Sequence, residues 1–499
     1  MLEALVAAEP LREQRWALLL TAYQRAGRRV EGLRAFERAR RTLALEIGVS
    51  PGPELVERYE SLLRDETGPT DVPIRGAIPS FDLISLSDRR STEALAARAR
   101  GDASTATQLF ADAARQAREA GDVRRFAESA LGAAGDGWRA TVDATDEIVM
   151  LLAAALEHVP AGPTRLRSRL LSRSAIAQSH HQPAAECEAA ATKALAIARA
   201  VDESSLIAAA LHALSVVVWD PERTDQHWAW TDELLALAKL QPHEPWRRWA
   251  LPIVARLRAT DGDLAGAGEA LDELGREASR CGDAGGVFAA SYAGVLRASV
   301  VGDWSQARAG AAASRAAAEA ALIDPAGGAL QEMGMLGIIE LLQGPTDVVP
   351  LPPIEWPMPS MELSVRAWYA DCLARAGQIE HATEALTAID ANFVTHVDHD
   401  GYWLATLSML ADAAHLTSDA SMGAAVWQSL RAVTHLTILD PGLIYRGTAA
   451  HAAGLAAKVC GRRRDATELL SIGLAQHEMH RSPWMIERSR HALTSLTDG

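Results

Sequence analysis

From residue 91 to the C-terminus, apolar and small residues recur at helical spacing, and each run closes on a short polar turn. Ala265, Ala267, Ala270 and Leu271 show the spacing. The turns are Gly-Asp or a close equivalent, at Gly101, Gly121, Gly262, Gly282, Gly302, Gly377, Ser418 and Gly461. Glycine ends one helix in the left-handed conformation, and the Asp or Ser after it caps the next. Gly262 to Gly302 is 40 residues, Gly377 to Ser418 is 41 and Ser418 to Gly461 is 43. One such period holds a pair of antiparallel helices, which cannot bury its apolar face until another pair stacks on it. The pattern predicts an all-α fold of TPR-like helical hairpins stacked into an α-solenoid. Its period is longer than the roughly 34 residues of an ordinary tetratricopeptide repeat.

Two stretches interrupt the helical text. Thr67–Arg90 carries three prolines and no helical period, so residues 67–90 are expected to be a linker. Gly344–Ser360 carries six prolines, and proline stops a helix for want of an amide donor. The expected organisation is therefore an N-terminal segment over 1–66, the linker, a first repeat array over 91–344, a connection over 345–360 and a second array over 361–499. The proline-rich piece could instead be a crossing loop or a polyproline ligand; a connection between two arrays is the commoner use.

Residues 1–66 read as helix–turn–helix–turn–helix. Leu11, Trp16, Leu19, Leu20 and Tyr23 share one face of the first helix, and Gly27 ends it. In the second, Gly32, Phe36, Ala39 and Leu43 oppose Arg34, Arg38 and Arg41. The third sets Leu55, Tyr59, Leu62 and Leu63 inward. Seven arginines lie between Arg25 and Arg41 against only Glu31 and Glu37, which looks like a nucleic-acid-binding helix. The whole segment nevertheless holds eleven basic and eleven acidic residues and is neutral. The basic stripe is therefore expected to be the solvated back of a hairpin, and at most an interaction surface.

"EPLREQRW", "YQRAGR" and the closing "EIGVSPGPEL" resemble the end of the bacterial transcriptional activator domain of actinobacterial antibiotic-pathway regulators. Glu9 stands where that pattern usually has His. The resemblance covers residues 1–66, about half of such a domain, and implies a winged-helix DNA reader upstream that this sequence does not contain. It leads to the expectation of a misplaced start or a truncated regulator, with DNA contacted only through a domain not present here. More weakly, "DGWRATVDATDEIVM" and "ATKALAIARAVDESSLIAAALHAL" resemble the helical-repeat tails of large bacterial ATPase regulators. No GxxxxGK[ST] loop occurs and no lysine follows a glycine, so a phosphate cradle is not available.

Composition narrows the function classes. The 499 residues are 48% hydrophobic, with 5% aromatics and a net charge of −15, which opposes non-specific DNA binding by the whole surface. Arginine supplies nearly all the positive charge; Lys193, Lys239 and Lys458 are the only lysines. The four cysteines, Cys187, Cys281, Cys372 and Cys460, are too far apart in sequence for a CxxC pair and are expected to be buried thiols in a reducing cytoplasm. No 18-residue apolar run is expected, since alanine stretches such as Ala311–Ala321 are broken by charge, and no membrane segment follows.

Candidate chemistry is sparse. "THVDHDG" gathers His396, Asp398, His399 and Asp400, and "SHHQPAAEC" offers His180, His181 and Cys187; both read as solvated loop groups before metal ligands. Asp261–Asp263 lacks the later acids of a calcium loop. With no nucleophile signature either, no enzyme, metal or cofactor is expected. The 13 tryptophans are the excess worth following. Trp219, Trp228, Trp230, Trp246 and Trp249 cluster within about one repeat, either filling gaps between alanine-rich helices or lining a binding face. The sequence thus supports a transcriptional regulator acting through a protein-binding array, whose partner is the transcription machinery or a second copy. The alternative is a stand-alone scaffold or sensor of a small ligand.

Overall fold

The computed structural model describes residue 6, residues 13–25, scattered positions between 32 and 59, and residues 80–99, 102–135, 145–179, 181–321, 325–344, 359–397, 399–440 and 442–497. It divides into two compact units, Met1–Ala77 and Ile78–Gly499.

In the first unit, helix α1 (Glu13–Arg25) buries Trp16, Leu19, Leu20 and Tyr23 in one core with Phe36, Ala39, Leu43 and Leu55. These are the faces that the 3.6-residue spacing selects. Phe36 stacks on Tyr59 at 4.0 Å, and Glu13 accepts the Gly52 N–H, so the later segments close back on α1.

The second unit runs through α2 (Ser80–Ala99), α3 (Ala103–Glu119), α4 (Val123–Ala133), α5 (Asp146–His158), α6 (Arg165–Gln178), α7 (Ala184–Val201) and α8 (Ser204–Val217). A 3₁₀ turn (Pro221–Arg223) leads to α9 (Thr224–Leu240), α10 (Trp246–Thr260), α11 (Leu264–Cys281), α12 (Ala284–Ala290), α13 (Tyr292–Val301), α14 (Trp304–Ala320) and α15 (Pro325–Gln343). Then come α16 (Pro359–Arg375), α17 (Ile379–Thr387), α18 (Ala391–Val394), α19 (Trp403–Thr417) and α20 (Ala420–Leu430). A β-hairpin of β1 (Thr437–Asp440) and β2 (Ile444–Thr448) precedes α21 (Ala449–Val459), α22 (Arg463–Met479) and α23 (Pro483–Thr497).

Successive helices pack against one another along the chain, as stacked hairpins require. Gly121, Gly262, Gly282, Gly302, Gly377 and Gly461 all take φ between 68° and 92°, and Ser418 takes 61°. Asp122, Asp263, Asp283, Asp303 and Asp419 each accept a backbone N–H from the first turn of the helix that follows. The repeated turn therefore works as its residue types dictate. Small residues set how closely the helices approach. A Cβ at Gly473 of α22 would lie 2.9 Å from the His451 backbone nitrogen on α21, which leaves no room for any other residue.

Four expectations are corrected. The linker assigned to 67–90 is helical from Ser80, because all three of its prolines precede that residue and "SFDLISLSDRR" contains no breaker. The second array is not purely helical: "TILDPGLIYRGT" forms an antiparallel hairpin with Thr437 opposite Thr448 and Asp440 opposite Ile444. β-Branched residues on either side of a Pro-Gly turn favour strands over helix, and Gly442 turns at φ 85°. Ala284–Val301 does form an apolar 18-residue stretch of mean hydropathy 1.3 with one charge, Arg297; 61% of it is buried, and it breaks at Ser291 into α12 and α13 within the core. Finally, Cys281 is exposed, whereas Cys187 and Cys372 are buried. Of the proline-rich connection, residues 345–358 lie outside the described residues, and Pro359–Ser360 already open α16.

One feature departs from a simple stack, in which a repeat touches only its neighbours. The hairpin packs on α10, α13 and α15 on one side and on α19, α21 and α22 on the other. The Tyr445 N–H donates to Ser299 Oγ at 3.0 Å, and Trp484 Nε1 donates to the Ser299 carbonyl at 3.0 Å. Trp484 also meets Trp304 edge-on at 5.2 Å. Residues some 146 to 185 positions apart in sequence are thereby joined.

Candidate functional site

The tryptophan-rich segment occupies the residues just before the 3₁₀ turn, the start of α9 and the start of α10. Its five tryptophans separate by environment. Trp246 is 2% exposed and fills the core of α7, α8 and α9, so it cannot present a binding face. Trp230 and Trp249 are half-buried against the same core; Trp249 lies 5.2 Å from the His212 ring and Trp230 5.5 Å from His227. Trp228 is half-buried and donates Nε1 to Asp261 Oδ2 at 2.8 Å. Trp219 is 40% exposed, and the Arg256 guanidinium from α10 stacks 3.5 Å from its ring centroid.

"THVDHDG" is brought to Trp219 from the far side of the sequence. His399 Nδ1 faces Asp220 Oδ1 at 3.3 Å, and the His399 ring stacks on Trp403 at 3.9 Å. A Cβ on Gly401 would lie 3.3 Å from the Trp219 ring. His396 is exposed and bonds the Asn392 carbonyl; Asp398 lies outside the described residues. The two motifs that stood out separately thus form one joint between α8–α9 and the loop before α19. Among the described residues no three His, Cys, Asp or Glu side chains gather as a metal site. Of "SHHQPAAEC", His180 lies outside the described residues and His181 faces Asp146 at 3.8 Å. Burial pushes the Cys187 thiol up to about 11, so it is not a thiolate at neutral pH.

In the N-terminal unit Arg38 is exposed on the face opposite buried Phe36, Ala39 and Leu43. Arg34 and Arg41 lie outside the described residues.

A second polar assembly had no signal in the sequence. Asp371 and Arg375 of α16, Asp412 of α19, Asp440 of β1, Arg446 of β2 and Arg488 of α23 form a charge-balanced network of three arginines and three aspartates. Arg375 bonds Asp371 Oδ1 at 2.7 Å and Asp412 Oδ2 at 2.5 Å; Arg488 reaches Asp412 Oδ1 at 2.7 Å. Arg446 lies between Asp371 and Asp440 at 3.4 Å from each. Desolvation raises the Asp371 carboxyl, and it raises Asp440 to about 6 despite Arg446. Burial opposes ionisation of Asp412 as well, but Arg488, Arg375 and Arg446 together outweigh it and hold that carboxyl below its usual range.

Beside this network, His451 Nδ1 and His477 Nδ1 both contact Ser489 Oγ, at 2.8 and 2.9 Å. Burial depresses His451 to about 3 and His477 to about 2, so both rings are neutral at pH 7. A serine between two imidazoles invites a nucleophile reading. Ser489, however, is 0% exposed, so no substrate reaches it, and the cluster fastens α23 to α21 and α22. The network ties the hairpin to α16 through Arg446–Asp371, and ties α16 and α23 to α19 through Asp412.

Residues 1–63 match the bacterial transcriptional activator domain. The chain is 48% identical over 75 residues to regulatory protein AfsR of Streptomyces griseus, covering 14% of this chain and 8% of that protein. It is 34% identical over 90 residues to transcriptional regulatory protein EmbR of Mycobacterium tuberculosis (strain ATCC 25618 / H37Rv), covering 18% and 23%. Regulatory protein DnrI of Streptomyces peucetius is 39% identical over 67 residues, covering 13% and 25%. The chain thus spans a quarter or less of these relatives in each alignment. A circular tandem repeat protein of known structure aligns over 97% of this chain and 88% of its own at 12% identity, with a TM-score of 0.15.

Proposed function

We propose that this chain regulates transcription and does so by binding a protein partner along its helical array. The observation that carries the reading is the activator-domain segment at residues 1–63, shared with regulators named for that role. The continuation as stacked hairpins supports the partner half, since such arrays offer long surfaces built from many helices. The net charge of −15 argues that DNA is read by another domain or chain rather than by this surface. Among the described residues the Ser489–histidine cluster is sealed and the aspartate–arginine network is neutralised internally, so neither is put forward as a catalytic site. A cytoplasmic location follows from the role. Among the described candidate surface residues, Trp219 and Arg38 are exposed and are the first to substitute. The test is a deletion of the gene in its own host, complemented by the full chain. Transcript levels at a defined set of promoters should change on deletion and return on complementation. An unchanged transcript profile would overturn the reading.

A further inference from the structure

A cleft of about 240 Å³ opens where the end of α21, the turn at Gly461 and the last turn of α23 meet. Lys458, Gly461, Arg463, Ser495 and Leu496 line it, so two of the lining residues are cations and none is an acid. Gly461 and Arg463 are exposed and Lys458 is half-buried, and a Cβ on Gly461 would meet nothing within 4 Å, so solvent reaches the cleft. Lys458 Nζ donates to Ser495 Oγ at 2.5 Å, and Arg463 Nη2 donates to the Leu496 carbonyl. Ser495 spends its own hydroxyl proton on the Ala492 carbonyl at 2.8 Å. Both cations are thus held by neutral oxygens, which position them without cancelling their charge. An ammonium carries three N–H donors and a guanidinium five, so Lys458 keeps two and Arg463 four. Among the described residues neither meets a carboxylate, and burial alone shifts Lys458, downward from its ordinary value.

The turn itself differs in charge from its sisters. Asp122, Asp263, Asp283, Asp303 and Asp419 follow five of the other turning residues, whereas Arg462 stands in that place here. Arg462 is committed elsewhere: Nε bonds Asp465 Oδ2 at 2.7 Å, and the guanidinium lies 3.9 Å from the Trp427 ring centroid. That pairing also engages the acid of the first turn of α22, so the cleft keeps its two positive charges. In a chain of 64 acidic and 49 basic residues, this local excess runs against the whole. Two cations held in one concave site repel each other and gain from an anion shared between them. A phosphate dianion supplies two charges and enough oxygens for the free donors, and guanidinium and ammonium are the side-chain groups that bind it. A carboxylate supplies half the charge.

We propose that Lys458 and Arg463 form a binding site for a phosphate group, either the free ion or the head of a small phosphate ester. The Arg463 fork takes two of its oxygens and the Lys458 ammonium a third. Occupancy bridges α21, the turn at Gly461 and α23, and so fastens the C-terminal end of the array.

The full chain is titrated by calorimetry with inorganic phosphate, glycerol phosphate, acetate and chloride at matched ionic strength. A saturable response with a midpoint near or below about 1 mM is expected for phosphate or its ester, weaker for acetate and absent for chloride. The tighter of the first two names the source of the group. Lys458→Gln and Arg463→Gln should each weaken binding by about tenfold, as loss of charge-assisted hydrogen bonds dictates. Arg464→Gln, at an exposed position of the same turn that does not line the cleft, should leave binding unchanged. Thermal unfolding checks that each variant is folded. The inference is overturned if neither phosphate nor its ester gives a saturable response, or if acetate binds as tightly. It is equally overturned if the folded Lys458 and Arg463 variants bind like the unmodified chain, or if Arg464→Gln weakens binding as much as they do.

Discussion

Arg446 shows how a single residue carries structural consequence. It is 2% exposed and lies between Asp371 and Asp440, both buried as well. Arg446→Met would leave buried Asp440 without its cation and Asp371 with Arg375 alone, and should destabilise the chain by about 3–5 kcal/mol. Adding Asp371→Asn and Asp440→Asn should recover part of that loss, because the residual cost is the uncompensated charge; denaturant unfolding of the single and triple variants measures it. Buried histidines set the acid response. His227, His451, His477 and His480 have folded values depressed to between about 2 and 4. The unfolded chain therefore takes up protons below its ordinary histidine value near 6.5 while the folded chain does not, and stability falls as pH drops from about 7 to 4. Asp440, raised to about 6, and Asp371, also raised, act the other way, since the folded state binds their protons first. Four histidines outnumber two aspartates, so net acid destabilisation is expected. His451→Asn with His477→Asn should flatten the slope of thermal midpoint against pH between 6 and 4.5, an interval set by ordinary histidine and raised aspartate values.

Among the elements, the repeated turn was legible and the irregular pieces were not. A glycine followed by aspartate encodes both a left-handed stop and a cap locally, so a one-dimensional pattern suffices at Gly121–Asp122 and Gly302–Asp303. "TILDPGLIYRGT" escaped because a short hairpin inside alanine-rich helices owes its stability to distant helices rather than to its own pattern. The buried network was illegible for the same reason: Asp371, Asp412 and Arg446 look like surface charges until packing gathers them. The joint at Trp219 was half legible. Its two motifs stood out, while their meeting and the stacking of Arg256 on Trp219 depended on the fold. Two glycine substitutions separate local from long-range cost. Gly121→Ala meets open space and should cost about 1 kcal/mol for its positive φ alone. At Gly302 a Cβ would also lie 2.9 Å from the Trp484 ring, so Gly302→Ala should cost about 2–3 kcal/mol and loosen α23. Thermal unfolding of the two variants, with hydrogen exchange over 483–497, distinguishes them.

Taken whole, the residues from 78 onward form one unit in which the C-terminal helices close onto the middle of the array. Trp484→Ala removes the indole that joins Ser299, Trp304 and Tyr445. It should raise hydrogen exchange in both 292–301 and 444–448 together, although those segments are far apart in sequence. A rise confined to one of them would show that the two halves do not stabilise each other. The acidic surface makes a second demand at this scale: the 499-residue chain should show no tight, salt-resistant and sequence-specific shift of duplex DNA. The regulatory reading itself is tested most directly by placing the full chain at a promoter. Fused to an unrelated DNA-binding domain whose operator stands upstream of a reporter, the chain should change reporter transcription severalfold in a bacterial host, and Trp219→Ala or Arg38→Ala should reduce the change if those exposed residues meet the partner. Reporter output equal to that of the DNA-binding domain alone, with the fusion present at the same level, would contradict the account.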